Sequence, residues 1–304
     1  MFTFAHLSDP HFTSLHNVSW TSLVNKRALG YLSWRLHRQT EHRPEILDRL
    51  VQDLSHHKPD HVVITGDLTH LGLPIEFHEA RQWLDSLQSF AETTVIPGNH
   101  EAYIATSFDS TLRHWEPFFS SDSSWQHSSS SGNQAFPSLR IRGPVAFIGM
   151  SSATPTPPFF ATGSIDIAQL EKLGELLDLT ATQGLCRVLL IHHPPLSHSV
   201  QWRKRLTNAK QLATVLSHNP VDVILHGHSH RSSIQHLNTP TRSIPVVGVP
   251  SASAAGSKPG SGAQYCLFQV KKHHGSFQLT ASVHTYSPST TQFHFDHNLS
   301  LHCT

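Results

Sequence analysis

Five short apolar runs in this chain each stop at a glycine or at a side chain able to bind a metal. The stops are Asp9-Pro10-His11, Gly66-Asp67, Gly98-Asn99-His100-Glu101, His192-His193-Pro194 and Gly227-His228-Ser229-His230. Between them lie stretches with helical spacing. Pro44 to His57 sets Ile46, Leu47, Leu50, Val51 and Leu54 on one face, and Pro44 suits a first helical turn. Strand-like and helix-like segments alternating in this way predict an α/β fold. Ligands in open α/β sheets gather at the carboxyl ends of strands, so segments remote in sequence can converge there. A glycine at such a stop lets the backbone turn sharply and pass close to an ion.

Further strands are expected at Phe2 to Ser8, His61 to Thr65, Thr93 to Ile96, Ser138 to Arg142, Val145 to Met150, Arg187 to Ile191 and Val221 to Leu225. Three more lie near Ser243 to Val249, Gln264 to Val270 and Phe277 to Thr285. Helices are expected at Pro74 to Phe90, Ser107 to Phe119, Asp166 to Leu179 and Lys204 to Leu216. The serine-rich stretch Ser120 to Ser131 reads as a surface loop, and a polar tail closes the chain. With no internal repeat or linker, residues 1–304 read as a single domain, with 243–304 as C-terminal strands and tail.

Residues 12–43 form a longer connection than a strand-to-helix link requires. Lys26, Arg27, Arg35, Arg38 and Arg43 face one acid, Glu41, and are interleaved with Trp20, Leu29, Tyr31, Leu32, Trp34 and Leu36. That pattern fits a cap over an anionic, partly apolar substrate, and equally an interfacial helix. The plainer alternative is a helical excursion with Trp34 buried and the arginines in water. The run Trp202-Arg203-Lys204-Arg205 could reach a cleft or simply start a solvated helix.

Charge excludes some partners. The net charge is +1, so no global field draws the chain to nucleic acid or an anionic membrane. Its 3 cysteines are far apart and form no C-x-x-C, which argues against a disulfide framework or thiolate zinc and fits a reducing compartment. No apolar run approaches the ~18 residues of a membrane span, and the N-terminus lacks the features of a signal peptide. A cytoplasmic location with no nucleic-acid partner is the expectation. Histidine is abundant, 27 in 304 residues, and this discounts any single histidine motif. A lone G-H-x-H arises by chance roughly 0.1 times in such a chain. Each stop taken alone also reads as a turn after a strand. Five in order, each behind a strand-like run, are much harder to obtain by accident.

The ordered set resembles the calcineurin-like metallophosphoesterase family, whose pattern is D-x-H, G-D, G-N-H-[DE], H and G-H-x-H. The resemblance runs from Asp9 to His230 and is densest in Asp-His-Val-Val-Ile-Thr-Gly-Asp-Leu-Thr at 60–69. It implies a four-layer α-β-β-α sandwich of two mixed β-sheets around a dinuclear metal site. Asp9, His11 and His230 would hold one ion, Asn99, His192 and His228 the second, and Asp67 would bridge both. His100 would be the catalytic histidine, with Glu101 supporting the ligands from behind. The family's H-x-P pattern selects His192 over His193, and His226 reads as a strand residue. Imidazole, carboxylate and amide donors without sulfur suit Mn, Fe, Zn, Ni or Co, with Mn favoured. The implied reaction is in-line attack by a metal-bridging hydroxide, with a protonated His100 assisting the leaving group and no covalent intermediate.

His70 stands where the protein Ser/Thr phosphatases of the family carry an aspartate, which argues against that branch. The G-N-H-E and H-H-P-P forms look like class III cyclic nucleotide phosphodiesterases and their bacterial relatives. A phosphodiester, nucleotide-containing substrate is therefore the leading expectation. The alternative is a pyrophosphohydrolase similar to the UDP-2,3-diacylglucosamine pyrophosphatases. There the 12–43 segment would serve a nucleotide-linked lipid, with peripheral contact to the inner face of a membrane. A non-catalytic scaffold such as the retromer subunit of this fold would lack ligands, and here none is lacking.

Overall fold

Every residue of the run His61–Ile64 is buried, so neither face of that strand meets water. Alternate side chains serve two different cores. Val62 and Ile64 pack with Ala5, Leu7 and helical residues, while Val63 packs with Phe4 and residues of a second sheet. Period-two alternation with both faces apolar is what places a strand in the middle of a layered structure. A computed structural model describes residues 1–12, 15, 18–122, 135–196, 198–256, 261–273 and 275–301.

The first sheet contains β1 Phe2–Leu7, β2 His61–Ile64 and β3 Glu92–Val95. The second is built on β4 Ser138–Arg142, β5 Val145–Gly149, β6 Cys186–Leu190, β7 Val223–His226, β8 Ser233–Asn238 and β9 Ser243–Gly248. Strands β10 Gln264–His273, β11 Ser276–Ser287 and β12 Gln292–Leu299 return to the first sheet. The strand orders are β12-β11-β10-β1-β2-β3 and β4-β5-β6-β7-β9-β8. Both sheets are mixed: β1 is parallel to β2 and antiparallel to β10, and β5 is parallel to β6 and antiparallel to β4.

Helices complete the layers. Besides α1 Arg27–Ser33, the chain forms α2 Pro44–His57, α3 Pro74–Leu87, α4 Glu116–Phe119, α5 Ile167–Thr182 and α6 Ala209–His218. Both α2 and α3 open with proline, whose missing N–H costs nothing in the first turn. The Asp166 side chain caps α5 by accepting from the Gln169 N–H at 2.8 Å. Leu47, Leu50 and Leu54 of α2 and Phe77, Leu84 and Leu87 of α3 cover the outer face of the first sheet. Leu170, Leu173 and Leu177 of α5, with Leu212 and Leu216 of α6, cover the outer face of the second. Between the sheets, Phe4 stacks on Phe268 and meets Phe147 edge-on. The architecture is a four-layer α-β-β-α sandwich.

The segment 12–43 is folded onto this frame. It holds a 3-10 turn Trp20–Leu23, α1, and a π-helical turn Trp34–Arg38. Trp34 is buried with Leu15, Leu23, Leu71 and Leu73. The buried Arg27 donates to the carbonyls of Leu71 and Gly72, and Lys26 Nζ donates to the Thr156 carbonyl at 3.0 Å. Not all the basic side chains are in water.

Several expectations need correction. The stretch 107–119 is not one helix but two 3-10 turns followed by α4. Helix α6 begins at Ala209, after a separate 3-10 turn at Trp202–Lys204. Strand β8 is not among the expected strands, and β12 forms where a polar tail is expected. Most of the serine-rich stretch, 123–131, lies outside the described residues. No helix among the described residues is long and apolar enough to cross a membrane.

Candidate metal centre

The loops leaving β1, β2, β3, β6 and β7 carry the five stops found in the sequence. Their backbones are unusual. Asp9, His11, Asp67, His228 and His230 all have positive φ, between 41° and 64°. Such conformations are disfavoured for side chains with a Cβ and persist where the surroundings hold them. Five of the eight non-glycine residues of this kind among the described residues belong to these stops, so the strain is concentrated there. Two glycines make the approach possible. Gly66 has φ 96°, and a Cβ on it would stand 2.6 Å from the Gly98 nitrogen. A Cβ on Gly227 would collide with Ser8 and the Asp9 carboxylate.

Asp67 lies between two groups of imidazoles. Its ligand oxygen falls within 4.8 Å of the ring nitrogens of His11 and His100 in one group, and of His192 and His228 in another. Asp67 Oδ2 is 3.2 Å from His192 Nε2, and its Oδ1 accepts from the His100 N–H at 2.8 Å. Asn99 Oδ1 lies 3.2 Å from the same His192 nitrogen. On the other side Asp9 Oδ1 lies 3.1 Å from His230 Nε2, while Asp9 Oδ2 accepts from the His228 N–H at 3.0 Å. All seven residues expected to bind metal therefore meet in one place.

The imidazoles are held by their other nitrogens. His11 Nδ1 is 2.9 Å from the Thr69 carbonyl, and His192 Nδ1 is 2.6 Å from that of Thr65. A carbonyl can only accept, so both rings carry their proton on Nδ1 and present a bare Nε2 when neutral. His228 uses Nε2 on the Lys204 carbonyl at 2.9 Å, which frees Nδ1. One buried atom of the set, His11 Nε2, has no hydrogen-bond partner, and Asp9 Oδ1 is met only by the ring of His230. Orphaned buried acceptors are costly unless a cation satisfies them, so the donor set fits divalent ions.

Charge follows from burial and neighbours. Burial, then His42, His100 and His70, push His11 well below the ordinary 6.5. Burial, then His193 and His192, do the same to His228. His192 goes the other way: burial opposes its charge, but the Asp67 carboxylate raises it to about 9. In return, against burial, His192 and His100 hold Asp67 well below the usual carboxylate range. Burial and Asp67 push Glu101 up to about 7. Yet Glu101 accepts four bonds, from Asp67 N, Gly98 N, Thr69 N and Thr69 Oγ1 at 2.7 to 3.0 Å. Only donors surround it, so its geometry favours the carboxylate, which ties the loops after β2 and β3 together.

His100 faces the 12–43 segment. Its Nδ1 lies 2.5 Å from the His70 carbonyl, and Arg38 Nη1 is 3.0 Å from its Nε2. Burial lowers His100 to about 4, with Arg38 lowering it and Asp67 opposing. The imidazole is neutral near pH 7, and Arg38 donates to it. Around them opens a cavity of about 310 Å³ lined by Lys26, Leu29, Trp34, Arg38, Tyr103 and Lys204, among others.

The sequence pattern missed His42, which belongs to a ligand-distance group with His11 and His230 and sets Nδ1 2.9 Å from Ser253 Oγ. No motif marks it. His193 is turned away onto Ser152 Oγ at 2.7 Å, and His226 lies in β7.

Comparison with known proteins agrees with this fold. A dimetal phosphatase from Danio rerio superposes with a TM-score of 0.60 at 14% identity, over 99% of this chain and 98% of that one. A purple acid phosphatase from yellow lupin seeds gives 0.57 at 13% identity, over 98% of this chain and 53% of that one. In sequence, a 3',5'-cyclic-nucleotide phosphodiesterase of Nostoc sp. is 28% identical over 191 residues, 60% of this chain and 62% of the relative. The matched part is thus less than two thirds of that relative's length. The profile of the calcineurin-like phosphoesterases matches residues 2–232, which contain all five stops. Matched over most of its length, this chain belongs to the calcineurin-like phosphoesterase family.

Proposed function

We propose that this protein is a metal-dependent phosphoester hydrolase acting on phosphodiesters. One observation carries the reading: Asp67 stands within ligand distance of His11 on one side and of His192 and His228 on the other. Asp9, His11 and His230 would hold one divalent ion, Asn99, His192 and His228 the second, and Asp67 would join the two. When bound, such a pair draws charge from phosphoryl oxygens and lowers the pKa of water toward neutrality.

The chain's own residues do the rest. The His70 carbonyl orients His100 so that Nε2 faces the cavity. Arg38 and Lys204, both lining the cavity, offer positive charge to phosphoryl oxygens. A phosphate that drew Arg38 away would replace a cation beside His100 by an anion and raise its pKa. The same imidazole could then pass a proton to the leaving oxygen.

A second reading is favoured by the cavity. Leu29, Trp34 and Phe160 line it together with four cations, Lys26, Arg38, Arg203 and Lys204, and Trp20, Val24, Leu36 and Phe159 stand exposed on the 12–43 segment and the proline-rich loop. This surface suits a pyrophosphate diester with an apolar group, such as a nucleotide-linked lipid, better than a small cyclic nucleotide. The scaffold alternative is disfavoured, because it requires lost ligands.

The test is an assay of Mn²⁺-loaded protein on bis-p-nitrophenyl phosphate, p-nitrophenyl phosphate, cyclic AMP and a diacylated UDP-sugar. Turnover of the diesters well above the monoester is expected. Lipid-nucleotide turnover orders of magnitude above cyclic AMP would select the pyrophosphate reading, and no turnover of any of them would overturn the hydrolase assignment.

A further inference from the structure

We propose that Asp53, His57 and His284 form a separate, mononuclear site for a zinc-type divalent cation on the outer face of the first sheet. Asp53 and His57 stand one turn apart at the end of α2, and His284 reaches them from β11. Residues at i and i+4 share a helix face. The three ligand atoms lie within 4.8 Å of one another. His57 Nε2 and His284 Nδ1 are 3.8 and 3.9 Å from Asp53 Oδ2. Those separations are too long for hydrogen bonds. They are slightly longer than the ligand-to-ligand edge of about 3.3 Å that a tetrahedral ion with bonds of about 2.0 Å would impose. An ion would shorten each separation by about half an ångström.

The surroundings prepare these groups for a cation. The Tyr265 hydroxyl donates to Asp53 Oδ2, and its ring stacks on His284 at 4.8 Å and 16°. His284 Nε2 lies 3.3 Å from Ser282 Oγ, which leaves Nδ1 toward Asp53. Metal-binding histidines are typically anchored in this way by their second nitrogen. Burial, then the neighbouring His57, lower the His284 pKa, with Asp53 opposing and His294 adding to the effect. The last turn of α2 also adds the negative end of a helix dipole. His57 is 37% exposed, which leaves a path for the ion and a fourth position for water. None of the three residues lies on the loops of the dinuclear centre. His284 falls beyond the family region at 2–232, so the ion would fasten the C-terminal strands to α2.

Zinc content after equilibrium dialysis at micromolar free Zn²⁺ tests this on the full chain. His57→Ala should hold about one ion fewer than the wild type, because two remaining ligands do not retain zinc. Its turnover of bis-p-nitrophenyl phosphate should stay within about twofold, since no group of that centre is touched. Zn²⁺ should also raise the Tm of the wild type more than that of His57→Ala. Equal zinc content in the two proteins, or a difference seen only at millimolar Zn²⁺, would overturn the site. If His57→Ala does not fold, His284→Gln carries the same comparison.

Discussion

His192 and Asp67 fix each other's charge, and the direction of each shift sets a pH window. The His192 pKa is raised from 6.5 to about 9, so its stabilising contribution is complete below 6.5 and is lost as pH rises through about 9. Asp67 is lowered from 3.8, so its contribution is complete above that value and is lost as pH falls further. The metal-free pair therefore stabilises the fold across the neutral range. A cation needs the bare Nε2 of His192 and must expel that proton. At about pH 7.5, Mn²⁺ binding should release about one proton per chain from this ring, and the release should vanish at about pH 10. Calorimetry in buffers of different ionisation heat measures it. No release at the lower pH would mean that His192 is already neutral.

At the level of elements, the π-helical turn Trp34–Arg38 is the piece that brings charge to His100. Arg38→Ala should lower kcat/KM on bis-p-nitrophenyl phosphate by about 10²-fold, the usual loss for a well-placed donor. Metal content should not change. A loss of less than threefold would separate the 12–43 segment from the chemistry. The sequence displayed this segment's charge but not its direction, because Arg38 points inward only once Trp34 is packed against Leu71 and Leu73. The five stops were legible because each needs a short motif directly behind a buried strand. Strands β8 and β12 were not, because both lie at sheet edges with most of their side chains in water. An edge strand that buries only one or two side chains, Leu237 in β8 or Phe293 and Leu299 in β12, leaves little apolar alternation to read. The helix expected at 107–119 failed differently: Phe118 and Phe119 are buried, but successive 3-10 turns and the short α4 bring them to the core.

At the scale of the molecule, the centre draws on loops of both sheets: Asp9, Asp67 and Asn99 follow strands of the first, and His192, His228 and His230 follow strands of the second. Ions that joined those loops would be bound by the folded chain and not by the unfolded one. Mn²⁺ at a hundredfold excess over Kd should add about 2.7 kcal/mol, or roughly 4 °C in Tm for a chain of this size. Calorimetry with and without EDTA measures the shift, and Asp67→Asn should remove most of it. An unchanged Tm would show that the folded chain does not hold the ions. The left-handed backbones at Asp9, His11, Asp67, His228 and His230 carry a consequence for redesign. Aim at this centre is set by main-chain direction and not by rotamer choice, so copying the seven side chains onto another scaffold would not reproduce it unless the strand ends beneath them were transplanted too.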